Sequence, residues 1–389
     1  MSNLAPPTGD AAWRARERAR RRRELWTQGT LTLLLVALGV GLALNVTANL
    51  EARQIRSGFG FLADRAGFDI GETLIRYSAA DDYLRAFAVG MLNTLRVALG
   101  GIVMATVIGV TVGLMRLSRH PLVALLGTAH VEVYRNIPLI IQLLAIYLII
   151  TELLPDASKA VSLGGAGLLS KSGLQIAVPA HGWAAAVAGL AAGAVAAVAA
   201  RRALLARLTT LGASAAALAV GAGVALLAWV AVGLATGWSV PHLEGFSVEG
   251  GAALTPEFLA LWLGLSLFTS ASIAEIVRAG AQAVPRGQWD AAMALGLTRG
   301  QSISTVIFPQ ALRLAIPPLA SQYMNLTKNS SLAVIIGYPD LVSIGNTSIN
   351  QNGQALEVIL IIMGVYLTLN LAISVLMNAV NARVTRAPQ

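Results

Sequence analysis

The chain has 389 residues, of which 56% are hydrophobic and only 12% charged, and it carries a net charge of +9. A soluble domain cannot cover its surface with so few charged residues, and the mean hydropathy of +0.68 indicates a protein that lies within a bilayer. The chain has no cysteine, which excludes disulfides and thiolate metal sites, and its four histidines are scattered.

Arginine accounts for 25 of the 28 basic residues, and much of it stands in the first tail or beside apolar segments. Cytoplasmic loops of membrane proteins retain Arg and Lys, so this distribution marks the orientation of the chain in a membrane. The alternative for the basic run from Arg14 to Arg23 is a nucleic-acid-binding arm. We favour the membrane interpretation and expect no nucleic-acid partner.

Eight apolar segments are long enough to cross about 30 Å of hydrocarbon, which takes about 20 helical residues. In chain order they lie at 28–48, 86–115, 122–150, 181–200, 208–238, 257–279, 308–336 and 356–380. They predict an all-α integral membrane protein with about eight transmembrane helices. An even number of spans puts both termini on one side, and the clustered arginines identify that side as the cytoplasm.

The segment between the sixth and seventh spans has the local signals of a short helix. It reads PRGQWDAAMALGLTRGQSISTVIFPQ from Pro285 to Gln310. Pro285 ends the preceding span, and Asp290 is expected in the first turn of the short helix, where its charge suits the positive end of the helix dipole. Gly296 can supply the left-handed residue that ends this helix.

A second short helix is predicted to follow at an angle, on the cytoplasmic face. Thr298 and Gln301 have the spacing of a capping box, and Pro309 is expected to limit the helix. We expect Ala291 and Ala292 to expose backbone for close docking of another protein. The alternative is an ordinary interfacial loop between two spans.

The same segment resembles the EAA loop of ABC importer permeases, which has an acidic residue and two alanines, then a glycine, then a distant hydrophobic residue and proline. The corresponding residues are Asp290, Ala291, Ala292, Gly296 and Pro309. Asp stands where the family usually has Glu. In that family this element is the coupling helix, here 285–305, which fits a groove on the ATPase subunit and transmits nucleotide-driven closure.

Other motifs are similar to those of the polar amino-acid uptake permeases. They are Gly287-Gln288-Trp289, Pro309-Gln310-Ala311-Leu312-Arg313 with Ile316-Pro317-Pro318, Lys328-Asn329-Ser330-Ser331-Leu332, and Tyr134-Arg135-Asn136-Ile137-Pro138-Leu139 with Gln142. The resemblance covers the five spans of roughly 86–150 and 257–383. Because the chain is longer than a minimal permease, it resembles the larger permease chain of general L-amino-acid transporters.

The resemblance divides the chain into a five-helix permease core and additions to it. We predict a cytoplasmic basic tail at 1–26, an extra transmembrane helix at 27–48, a periplasmic loop at 49–85, the first part of the core at 86–152, an inserted helical hairpin with periplasmic loops at 153–255, the second part of the core at 256–383 and a cytoplasmic tail at 384–389. The spans of the hairpin are almost free of polar residues, so we expect them to pack outside the core. The loop at 49–85 is expected to hold an amphipathic helix at the membrane surface.

The resemblance implies a permease subunit of an ABC importer for L-amino acids of polar or broad range. It implies alternating access, a place in the bacterial inner membrane and no enzyme activity of the chain itself. A P-loop lysine follows glycine, whereas Lys159, Lys171 and Lys328 follow Ser, Ser and Thr. We therefore expect ATP and Mg on a partner, and no catalytic residue, metal site or cofactor on this chain.

The implied partners are a second permease chain, expected to differ from this one, two copies of an ATPase subunit, a periplasmic amino-acid-binding protein, the L-amino acid and membrane lipid. The outer loops are too short to form a substrate-binding domain themselves. The residues expected to contact the ATPase are Gln288, Trp289, Asp290, Ala291, Ala292, Leu295, Gly296, Thr298, Arg299 and Gln301.

An amino acid is a zwitterion, so its pathway needs a donor or cation for the carboxylate and an acceptor or anion for the ammonium group. Ionisable residues at membrane depth are costly and are functional by default. The pathway candidates are Glu275, Gln322, Asn325, Lys328, Asn329, Ser270, Ser272 and Gln142. Pro317 and Pro318 are expected to interrupt the span that carries Lys328 and to free backbone carbonyls.

These candidates also have structural interpretations. Glu275 has Arg278 nearby as an ion-pair partner, and Lys328 can extend to the outer surface. Gln322 and Asn325 can hydrogen bond to the second permease chain. The alternative function is an ion-coupled secondary amino-acid transporter, because broken spans also suit that class. A membrane-embedded enzyme is disfavoured, because the sequence has no visible nucleophile motif or metal spacing.

Overall fold

The computed structural model describes residues 9–52, 57–164, 166–204, 210–245 and 247–385. Its helices are α1 (Gly9–Ala52), α2 (Tyr83–Arg116), α3 (Pro121–Asn136), α4 (Leu139–Leu148), α5 (Gly182–Leu204), α6 (Thr210–Thr236), α7 (Pro256–Gln282), α8 (Arg286–Ala294), α9 (Arg299–Ser302), α10 (Phe308–Asn329), α11 (Leu341–Asn352) and α12 (Ala355–Thr385). Within the described residues, seven helices are long and apolar enough to span a membrane, or eight if the bent pair α3–α4 is one span. The predicted helical membrane architecture is confirmed.

The first span and the basic tail before it form one continuous helix. α1 runs for 44 residues, so the tail is helical from Gly9 onward. The candidate span Ala19–Leu42 buries none of its surface against the rest of the chain. Lipid or another subunit therefore has to cover it.

The third span, predicted as a single helix over 122–150, is bent by 103° between α3 and α4. Ile137 at the bend has extended backbone angles, φ −93° and ψ 129°. The cause is Pro138, whose ring disfavours helical angles in the preceding residue. The side-chain amide of Gln142 donates to the carbonyls of Tyr134 at 2.9 Å and Ile137 at 2.8 Å, which satisfies carbonyls that the bend leaves free.

The predicted inserted hairpin is present as α5 and α6, and the residues around it form short strands that the sequence did not predict. These are β1 (Val161–Ser162), β2 (Gly167–Ser170), β3 (Gly173–Ile176), β4 (Val178–Pro179), β5 (Trp238–Ser239), β6 (His242–Glu244), β7 (Ser247–Glu249) and β8 (Ala252–Leu254). Strands of two to four residues are too short to show a periodic pattern. The larger sheet has the order β1-β2-β3-β8, and Leu174 before the hairpin pairs with Leu254 after it.

The two hairpin helices pack mainly on each other and on β4. Small residues bring their backbones together: a Cβ built at Gly193 would lie 2.6 Å from the carbonyl oxygen of Gly221. The expected packing against the outside of the core is thus not the main contact of the hairpin. Its association follows the rule that small residues permit close helix approach in lipid.

In its described part, the loop between α1 and α2 folds onto the start of α2 and does not form the expected amphipathic surface helix. Its described part, 57–82, contains one short 3₁₀ helix, Phe59–Ala63. Phe61 packs edge-on against Tyr83 and Phe87. Burial of these aromatic rings holds the loop against α2, and this explains why the loop does not lie along the membrane interface as predicted.

The core centres on α2 and α7, which approach each other closely. A Cβ at Gly109 would lie 2.6 Å from Cβ of Ile273, and a Cβ at Gly113 would lie 2.9 Å from the carbonyl oxygen of Ala274. α4 and α10 pack on α7, and α12 packs on α10. The glycines of α2 therefore determine the spacing at the centre of the molecule.

A side chain at Gly109 should separate these helices. In Gly109→Ala the new methyl group would clash with Ile273, and overpacking of this kind costs about 1–3 kcal/mol. We expect a lower thermal unfolding temperature for the purified protein in detergent. Gly364→Ala in α12 is the matched control, because nothing lies within 4 Å of a Cβ there. Equal unfolding temperatures for the two variants would contradict this interpretation.

Candidate functional site

α8 occupies the segment between the sixth and seventh spans, as predicted. It runs from Arg286 to Ala294, and Gly296 follows with φ of +73°, the left-handed conformation expected of it. Asp290 is the fifth residue of α8 and so lies in its second turn, not its first. The prediction that Asp290 interacts with the positive end of the helix dipole is therefore wrong, because the helix begins immediately after Pro285.

The predicted capping box starts α9. The N–H of Thr298 donates to Oε1 of Gln301 at 2.9 Å, and the N–H of Gln301 donates to Oγ1 of Thr298 at 3.4 Å. Pro309 does not limit this helix. A π turn, Ile303–Ile307, joins α9 to α10, and its wider loop accommodates the missing N–H of the proline.

α8 rests on the body of the chain through two residues of the predicted motif. Trp289 packs on a buried cluster of Val284, Ile307 and Ala311, and Ala292 is itself buried. The expectation that both alanines expose backbone is wrong for Ala292, since the helix turns it inward. Ala291 is exposed, as expected.

A side-chain hydrogen bond also connects α8 with α10. The side-chain amide of Gln310 donates to Oε1 of Gln288 at 3.0 Å, which ties α8 to α10. The backbone of Arg299 lies at the start of α9, and its side chain lies outside what the structure describes.

The outward surface of α8, which we call the docking face, consists of Asp290, Ala291, Met293 and Leu295. Leu295 is 80% exposed and Met293 59% exposed. Beside this face is a cleft of about 460 Å³ lined by Arg119, Arg286, Trp289, Met293, Leu297 and Ser302. Met293, Leu297 and Arg119 were not predicted. Met293 and Leu297 could have been identified as large apolar residues two positions before and two positions after Leu295.

Glu275 lies in α7 and forms ion pairs with two arginines. It accepts from Arg278 on the same helix, as its structural interpretation expected, and also from Arg116 at the end of α2. Arg116 was missed because it lies 159 residues away in the sequence. The carboxylate is thus already engaged within the chain.

α10 continues through Pro317 and Pro318, so the predicted interruption of this span is wrong. Neighbouring helices in a membrane protein can compensate for the two missing N–H groups. The unbroken helix places Ser321, Asn325 and Lys328 at exposed positions three and four residues apart. We call this row the polar stripe.

The polar stripe lies along the least apolar of the seven candidate spans in the described residues. Lys328 makes no ion pair with any residue that the structure describes. Gln322 and Asn329 are half-buried beside the stripe.

The remaining pathway candidates lie apart from the stripe. Ser270 is buried and its hydroxyl lies 2.9 Å from Nε2 of His130, while Ser272 is half-buried. Gln142 is used at the bend of the third span.

Lys328 and Glu275 lie at different levels of the core. Leu326 of α10 packs on Gly101 of α2, and the neighbouring Gly100 contacts Trp262 of α7. Lys328, two residues beyond Leu326, therefore lies near the level of Trp262. Glu275 lies thirteen residues further along α7, roughly 20 Å away, so Glu275 and Lys328 do not share one site.

A buried acidic residue, Asp340, lies where the seventh span leads into α11. Its carboxylate caps α11 by accepting the N–H of Ser343 at 2.8 Å, and the hydroxyl of Tyr366 lies 3.4 Å from it. Burial raises the pKa of Asp340 from 3.8 to about 7, against the opposing effect of its hydrogen bonds. In the described ranges, no three His, Asp or Glu side chains form a group that could hold a metal ion.

The raised pKa of Asp340 predicts a stability that falls with pH. The folded state binds this proton more tightly than the unfolded state, so the contribution of Asp340 to the free energy of unfolding should decrease as pH rises from about 4 to about 7 and then level off. Asp340→Asn keeps the helix cap and removes the titration. We expect its thermal unfolding temperature, relative to the wild type, to rise across this window. A constant difference from pH 4 to pH 8 would contradict the assignment.

The family described as "Binding-protein-dependent transport system inner membrane component" matches residues 189–386, a range that includes α8 and α10. The general L-amino acid transport system permease protein AapQ of Rhizobium johnstonii is 42% identical over 367 residues, which are 93% of this chain and 92% of that protein. YhdX of Escherichia coli K12, named as an amino-acid ABC transporter permease, is 46% identical over 349 residues, 87% of this chain and 88% of that protein.

A third relative is the glutamate/glutamine/aspartate/asparagine transport system permease protein BztB of Rhodobacter capsulatus. It is 38% identical over 395 residues, 92% of this chain and 93% of that protein. The ion-coupled alternative has no support among these relatives. The chain therefore belongs to the inner membrane permease components of binding-protein-dependent, ABC-type amino-acid transporters, in which ATP hydrolysis is the work of a separate subunit.

Proposed function

We propose that this permease moves L-amino acids of polar or broad range into the cell, together with a second, different permease chain, two ATPase subunits that bind ATP and Mg, and a periplasmic binding protein. The range is supported by the names of AapQ, a general L-amino acid permease, and BztB, a permease for glutamate, glutamine, aspartate and asparagine. The chain covers more than nine-tenths of both relatives.

The observation that carries the proposal is the docking face on α8. Large apolar side chains exposed outside the membrane spans mark a surface that another protein covers. Leu295 and Met293 supply the apolar contact, and Asp290 supplies charge beside them. Trp289, Ala292 and Gln288 hold α8 on the ends of α7 and α10, so a force on the docking face reaches two core helices.

The arginines support a cytoplasmic position for α8 and for both termini. Arg116 ends α2, Arg278 lies four residues before the end of α7, and Arg286 begins α8. Arg313, near the start of α10, donates to the carbonyl of Val384 at 3.2 Å, which brings the end of α12 to the same side. Retained positive charge is characteristic of cytoplasmic loops.

The polar stripe is our candidate for the part of the pathway that this chain contributes. Polar groups at membrane depth face protein or water, not lipid. We infer that the second permease chain covers the stripe, that Lys328 attracts the carboxylate of the amino acid, and that Asn325 and Ser321 hydrogen bond to its polar groups. Gln322 and Asn329 support the stripe from the side.

The proposed function is tested by uptake into vesicles. The permease is co-expressed with its ATPase and binding protein, reconstituted, and given labelled glutamate, glutamine or leucine. We expect uptake that needs ATP and the binding protein and that persists when ionophores abolish ion gradients. Uptake that needs a gradient and continues without ATP would overturn the proposal.

Leu295→Glu should remove the contact with the ATPase. A charge in an apolar interface centre is not compensated, and loss of one such contact typically costs 2 kcal/mol or more, about thirtyfold in affinity. We expect loss of ATPase from the complex that copurifies in mild detergent. Leu153→Glu is the matched control, because Leu153 is 76% exposed at the end of the π turn that follows α4. Wild-type yield of ATPase with Leu295→Glu would refute the docking face.

Lys328→Gln should weaken recognition of the substrate carboxylate. Loss of a hydrogen bond to a charged group costs about 1.5–3 kcal/mol, so KM for uptake should rise about tenfold or more while the ATPase still copurifies. The control is Lys171→Gln. Lys171 lies in the outer turn between β2 and β3. An unchanged KM would exclude Lys328 from the pathway.

A further inference from the structure

The cluster formed by Glu275, Arg116 and Arg278 has no part in the functions described so far. Glu275 accepts from Arg116 through Oε2 and from Arg278 through both oxygens, the longer contact being 3.3 Å. The Arg116 side chain is 13% exposed and that of Glu275 29%. Exposed ion pairs contribute little, but a charge as buried as Arg116 needs its partner.

The pair between Arg116 and Glu275 joins α2 and α7 in a region where the two helices approach closely. Gly113, one turn before Arg116, is where a Cβ would lie 2.8 Å from Cβ of Val277. The stem of Arg116 also lies against α3, since a Cβ at Gly127 would be 2.9 Å from its Cγ. α2, α3 and α7 therefore meet at the Arg116 side chain, whose stem faces α3 and whose guanidinium pairs with α7.

The same end of α7 leads into α8, which carries the docking face. Val284, two residues after the end of α7, is buried in the cluster on which Trp289 of α8 packs. A movement of α8 thus acts directly on α7 and on the start of α10. Among the described residues α2 does not contribute to that cluster, and it packs mainly on α7 and less on α10.

We propose that Arg116 and Glu275 are a pair of positioning residues that transmit the movement of α8 from α7 to α2. The inference rests on the proposed function and adds a role that the docking face and the polar stripe do not supply. The pair holds the inner end of α2 to α7 during closure, so both core helices turn together. If the inner end of α2 separated from α7, the ATPase would hydrolyse ATP without transport of the amino acid.

The test is the ratio of amino acid transported to ATP hydrolysed in the reconstituted complex. Arg116→Gln breaks the link between helices but leaves Glu275 paired with Arg278, so the fold should persist. Arg278→Gln is the matched control, because it removes the same charge next to the same carboxylate while the link to α2 remains. Arg116→Lys keeps the charge at the link.

We expect Arg116→Gln to lower the transport ratio about tenfold, within the usual range of coupling between sites. Arg278→Gln should leave the ratio near wild type, and Arg116→Lys should restore most of it. ATPase copurification and thermal unfolding temperature should not change. Equal ratios for Arg116→Gln and Arg278→Gln would overturn the inference, as would loss of the ATPase or of folding in Arg116→Gln. The ratio is compared with a wild type already shown to be ATP-driven, so a wild type without ATP-driven uptake refutes the proposed function separately.

Discussion

The close approach of α2 and α7 is the constraint on which the rest of the permease depends. Lipid gives helices no hydrophobic reason to associate, so van der Waals contact between small residues has to hold them together. Gly109 and Gly113 allow that contact because no Cβ stands between the backbones. α4 and α10 are then packed on α7, which fixes where the polar stripe and the docking face lie relative to each other.

The sequence predicted the spans well because length and hydropathy decide them, whereas proline was harder to interpret. Pro138 bends the third span sharply, while Pro309, Pro317 and Pro318 lie in helix that continues. The difference comes from tertiary context: a π turn or neighbouring helices can compensate for a missing N–H, and neither is visible in the residues around a proline. Gly296 and the Thr298 capping box were predictable because their signals are local.

The sequence predicted which segment forms the candidate site, but it did not predict which side chains of that segment are exposed. Motif spacing located α8, yet the register that turns Ala292 inward and leaves Leu295 outward follows from where the helix begins and what it packs on. Glu275 showed only its neighbour Arg278 in the sequence. Its pairing with Arg116 depends on how two distant helices cross, which no local pattern encodes.

The pairing of β3 with β8 has a consequence for how this chain can vary. Because Leu174 stands opposite Leu254, the chain leaves for the hairpin and returns from it at neighbouring points. The distance between α4 and α7 is therefore independent of what lies between those strands. The hairpin can lengthen, shorten or be exchanged during evolution without disturbing the core. For the core it is equivalent to the loop of a β-hairpin, whose strand pair tolerates loops of different length.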